Sequence, residues 1–162
     1  MKESRPVWVV AERSPLTGPW PGVVWRVVRV GSGRPDTPPG TVLERGEGWE
    51  RLYVGTANVT LHRGETGNYL VNLRSARPAL YVFLRREAGE GMRLLGATVD
   101  AGEVDVHADS GDDVIEAVAL PPDLAAWVEG FIAAHHVAQP VYHRTRDRAD
   151  PDALGRKPRA AP

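Results

Sequence analysis

The sequence predicts a mainly β fold, a β-sandwich or partly open antiparallel barrel, with one C-terminal α-helix. Three observations lead there. Between Val7 and Arg86 short runs rich in Val, Trp, Tyr and Leu recur, the composition that suits pleated, half-buried strands. Turn-forming stretches separate them, and 17 Gly and 14 Pro in 162 residues favour many short elements over a helical bundle. Only the segment around Phe131 has an apolar stripe of helical period. An α+β arrangement, with a second short helix in the acidic segment, is the alternative.

In chain order, VWVVAER (7–13) and GVVWRVVRV (22–30) are bounded by SPLTGPWPG and GSGRPDTPPG and read as strands. The stretch 31–40 carries Pro35, Pro38 and Pro39 and reads as a surface loop. TVLERG, WERLYVG, ANVTLHR, NYLVNLR and ALYVFLRRE follow, spaced like an antiparallel meander with turns at GETGN and RSARP. ALYVFLRR is apolar from Ala79 to Leu84, as expected of a central strand covered on both faces.

Between Thr98 and Glu116 lie seven carboxylates and no Lys or Arg. EVDVHAD alternates like an edge strand, while DAGEVDVHADSG fits a short helix equally well. In LPPDLAAWVEGFIAAHHV, residues Leu124, Trp127, Val128, Phe131, Ile132 and His135 make one stripe, which predicts a helix over 123–136. Pro121 and Pro122 mark its start and Asp123 complements its N-terminal dipole. One globular domain is expected over 1–140, followed by a polar, flexible tail over 141–162 with six basic and three acidic residues. The five tryptophans are expected mostly in the core.

Composition narrows the function classes. A hydrophobic share of 42% and a charged share of 25% are those of a globular chain. A formal net charge of −1 gives no electrostatic footprint for nucleic acid or anionic lipid. With no cysteine, disulfides, thiolate metal sites and thiol nucleophiles are excluded. The apolar run near the N-terminus is too short for a signal or membrane-spanning segment, so a cytoplasmic location without membrane or nucleic acid partners is expected.

The densest polar constellation is LHRGETGNYLVNL, 61–73. Read as a hairpin around GETGN, it sends His62 and Arg63 to opposite faces of one strand. Arg63 can pair with Glu65 at the turn, and Asn68 and Asn72 can hold backbone groups. His62, Arg63, Glu65, Asn72 and Arg74 form the candidate binding surface. His62 and Glu65 are the acid and base candidates of an enzyme reading, but no catalytic set is assigned.

No metal site or cofactor is assigned either. His135 and His136 are adjacent, and residues neighbouring on a helix diverge, whereas paired ligands sit three or four apart. Asp105, His107 and Asp109 fit a solvated acidic edge better than a cation site. GSGRPD lacks the lysine and following helix of a phosphate loop, and no serine sits in a G-x-S-x-G elbow.

ERSPLTGPWPGVVWRVVRV (12–30), LHRGETGNYLVNLRSARPALYVFLRR (61–86) and DSGDDVIEAVALPPDLAAWVEGFIAAHHVAQPVYHRTRDR (109–148) resemble, in this order, an uncharacterised family of small bacterial proteins. Its members are encoded beside molybdenum-dependent formate dehydrogenase genes and their maturation factors. They are often labelled molybdopterin-guanine dinucleotide biosynthesis protein A. The guanylyltransferase of that label has a glycine-rich loop after its first strand and helices between parallel strands. VWVVAERSPLTGPW has no such loop, and the label does not fit. The resemblance implies a non-catalytic accessory role in maturation of a molybdenum or tungsten formate dehydrogenase, with a molybdoenzyme subunit or maturation factor as partner. The alternative is a small-ligand-binding domain that grips a molybdopterin nucleotide or other anion through Arg63, Arg74, Arg85 and Arg86.

Overall fold

The computed structural model describes residues 2–19, 21–89, 91–108 and 113–137. The expected tail, Trp20 and Asp109 lie outside the described residues, as does the side chain of His107. The described chain is mainly β. Its strands are β1 (Lys2–Pro15), β2 (Val23–Ser32), β3 (Thr41–Gly46), β4 (Trp49–His62), β5 (Ala79–Arg86), β6 (Met92–Thr98) and β7 (Asp113–Ala119). The helices are α1 (Thr66–Leu73), α2 (Ala101–Ala108) and α3 (Pro122–His135).

Two antiparallel sheets result, one in the order β2-β1-β4-β3 and the other β6-β5-β7. ALYVFLRR is the central strand of the second, as its apolar run predicts. The sheets meet along two seams, β4 beside β6 and β2 beside β7. No ladder closes either seam among the described residues, so the two sheets do not join into a closed barrel. At the second seam the Glu116 carboxylate accepts the Val27 backbone N–H, satisfying a donor on the open edge of β2. Burial is the main cause that pushes the Glu116 carboxyl upward, against that hydrogen bond and the nearby Arg26.

Alternation decides the core. Val7, Val9 and Ala11 of β1, Val59 and Leu61 of β4, and Leu80, Val82 and Leu84 of β5 point inward. Leu124, Trp127, Val128, Phe131 and Ile132 of α3 join them, as the helical stripe predicts. The helix runs one residue ahead of the expected 123–136. Pro122 fits its first turn, where a missing N–H costs nothing. Trp127 is fastened to β1, its Nε1–H donating to Glu3 at 3.0 Å and the Arg5 guanidinium lying 5.0 Å from its ring centroid.

Trp25 and Trp127 are buried. Trp8 and Trp49 are only half-buried, because each lies across a glycine on the paired strand, Gly31 and Gly46, where a Cβ would meet the indole at 2.2 Å. These two tryptophans cover backbone rather than fill the core.

Two expectations need correction, and one open choice is decided. WERLYVG and ANVTLHR are one strand, not two. Gly55 sits inside β4 with φ of 141°, beside a bulge in which Val54 is the extra residue between the pairs Val9–Gly55 and Val10–Tyr53, so the strand bends without ending. NYLVNL is helical rather than a strand. Thr66, Tyr69 and Asn72 are buried at a spacing of three, Leu70 and Leu73 join the packing, and neither Gly64 nor Gly67 takes the positive φ of a tight hairpin turn. The acidic segment, which fitted strand and helix equally, is helical over Ala101–Ala108. Asp100 caps it, its Oδ1 accepting the Gly102 N–H at 2.8 Å.

Candidate functional site

The constellation at 61–73 lies where β4 hands the chain to α1. His62 is the last residue of β4, Arg63–Glu65 form a 3-10 turn, and α1 follows directly. Tyr69 reaches back and accepts the His62 backbone N–H on its hydroxyl at 2.8 Å, so the strand ends with its donor satisfied. The tyrosine ring is buried and meets Phe131 edge-on, with centroids 6.4 Å apart. Burial pushes its hydroxyl above the usual phenol value, and the carboxylates of Asp100, Glu65 and Glu103 add to this against the His62 hydrogen bond. The phenol stays neutral.

Asn72 is buried and fully engaged. Its Nδ2 donates to the carbonyls of Ala79 at 2.8 Å and Val99 at 2.9 Å, and its Oδ1 accepts the Ala79 N–H at 2.9 Å. One amide thus ties α1 to the start of β5 and to the residue after β6. Asn72 holds the framework.

His62, Arg63, Glu65 and Arg74 are exposed. His62 lines a cleft of about 280 Å³ with Asn58 and Thr60 of β4, Phe83 of β5, Thr98 of β6 and Glu103 of α2. Arg63 lines a different one, about 630 Å³, with Thr66 of α1 and with His135, His136 and Val137 at the end of α3. Glu65 turns along the helix and accepts the Asn68 Nδ2–H at 3.0 Å. Arg74 caps the far end of α1. The five expected binding residues therefore divide into two clefts, a helix face and a buried bracket.

Thr66 and His136 escaped the sequence reading as binding residues. Thr66 Oγ1 lies 2.9 Å from His136 Nδ1, a pairing across 70 positions that no local pattern encodes. Thr98 and Asp100 were hidden in the acidic segment, although Asp100 followed by Glu103 is a helix-start signal visible in the sequence. Among the described residues, no three His, Cys, Asp or Glu side chains are grouped to hold a metal ion. No described helix is long and apolar enough to cross a membrane.

These features define a small mainly β protein that presents a short, tightly bracketed helix beside two clefts. Residues 6–146 match the family described as protein of unknown function, DUF3305, and the chain belongs to that family. Neither a curated protein nor a solved structure matches the chain.

Proposed function

We propose that this protein is a non-catalytic accessory protein in the maturation of a molybdenum or tungsten formate dehydrogenase, acting in the cytoplasm by contact with an enzyme subunit or another maturation factor. The structural observation that carries this role is the outward face of α1. Gly67, Asn68, Val71 and Arg74 are exposed there, and Val71 keeps 70% of its surface open to solvent. Arg63 and Glu65 flank the helix start. Inward, Tyr69 and Asn72 lock the helix to both sheets, so the face is presented rigidly. Binding through such a face loses little conformational entropy.

The sequence resemblance supplies the choice of partner. Loss of the gene is expected to lower formate dehydrogenase activity and the molybdenum or tungsten content of that enzyme, with normal amounts of its polypeptide. Unchanged metal content and activity in the deletion strain would remove the proposal.

A further inference from the structure

The larger cleft gathers nitrogen-bearing side chains from distant parts of the chain. Arg63 comes from the turn before α1, and His135 and His136 come from the end of α3. Its volume of about 630 Å³ falls within the roughly 300–1,000 Å³ typical of small-molecule sites. Among the described residues no Asp or Glu lines it. Glu65, beside it in sequence, is engaged with Asn68.

The donors have defined anchors. His136 Nδ1 lies 2.9 Å from the Thr66 hydroxyl; when that hydroxyl donates to it, the ring proton is on Nε2, a donor on the side away from Thr66. His135 rests on Phe131, ring centroids 4.6 Å apart, and Phe131 is core. Arg63 is exposed, and its planar guanidinium presents paired N–H groups in the geometry of two phosphate oxygens.

We propose that this cleft binds the phosphate of a small phosphorylated molecule, with Arg63 and the Nε2–H of His136 on the phosphate oxygens and His135 beside them. The site stands independently of the maturation role. Of the four arginines considered for an anion, only Arg63 lines this cleft. Arg85 is bonded to Asp113 at 2.8 Å and lies about 20 Å along β5 from Ala79, the residue that Asn72 holds to α1, at about 3.3 Å per strand residue.

Thermal unfolding of the full chain with pyrophosphate, and separately with a nucleoside diphosphate, tests the site against chloride at equal ionic strength. A ligand selective for the folded state raises the Tm with concentration. Either probe is expected to do so at millimolar concentration. The rise is abolished in Arg63→Ala, reduced in His136→Gln and kept in Arg93→Ala, an exposed arginine on β6. Whichever probe gives the larger rise distinguishes free diphosphate from phosphate carried on an organic group. No rise with either probe, or an equal rise in wild type and Arg63→Ala, overturns the proposal.

Discussion

Asn72 makes three of the hydrogen bonds that fasten α1 to the rest of the protein. Removing its amide leaves a buried N–H and two carbonyls short of partners, each at roughly 1–3 kcal/mol. Asn72→Ala is expected to lower unfolding stability by about 3 kcal/mol in urea titration; a loss below about 0.5 kcal/mol would show that the bracket contributes little. The sequence reading offered Asn72 two roles, binding surface and holder of backbone groups. The second is the one its burial allows, and burial depends on packing across distant segments.

Glu116 makes a second prediction at the same scale. Its folded carboxyl is raised above the unfolded value, so the folded chain holds more protons than the unfolded chain between those two values. The contribution of this group to stability is full below the unfolded carboxyl range, about 4.3, and is lost as pH rises through the folded value. Glu116→Gln keeps an acceptor for the Val27 N–H and removes the titration. The Tm of the variant relative to wild type is expected to be higher at pH 7 than at pH 4. A difference that does not change with pH would contradict this account of the β2–β7 seam.

At the scale of elements, β4 shows where local reading stops. Its two halves were each legible as strands, but their continuity through Gly55 was not. Whether a glycine ends a strand or bends it depends on the pairing with the neighbour, here the register with β1 that leaves Val54 of β4 as a bulge beside Gly55. Gly55→Ala forces a side chain into φ of 141° while its Cβ would meet Leu94 at an ordinary 3.6 Å. Backbone strain alone is therefore expected to cost roughly 1–3 kcal/mol, measurable as a lowered urea midpoint with an unchanged slope. A variant as stable as wild type would show that β4 does not need this conformation. α1 failed for a related reason. Its eight residues are too few for a periodic signal to overcome the β-forming Tyr, Leu and Val. The 14 residues of α3 gave a stripe with two prolines at its start, and the helix was legible to within one residue at each end.

For the whole molecule, the Val-, Trp- and Leu-rich runs of β1, β2 and β5 and the turn-rich composition were sufficient for the mainly β class. Strand order was not in the sequence pattern, because which edges meet is decided by packing between β4 and β6 and between β2 and β7. β6 and β7 also escaped notice. MRLLGAT carries a glycine and DVIEAVA sits in an acidic setting, and each is stabilised chiefly as a neighbour of β5. The stretch that holds the candidate surface was assigned the wrong geometry. A helix in place of a hairpin divides its residues between separate clefts and leaves Val71 and Arg74 on an outward face.

That face carries the proposed contact, and affinity purification tests it most directly. The tagged protein would be recovered from its own host grown on formate, as wild type and as Val71→Asp, and the retained proteins identified by mass spectrometry after a salt wash. Wild type is expected to retain a formate dehydrogenase subunit or maturation factor that Val71→Asp, altered at an exposed position, loses. Wild-type protein that brings down neither would contradict the proposed role, and equal retention by the variant would remove α1 as the contact surface.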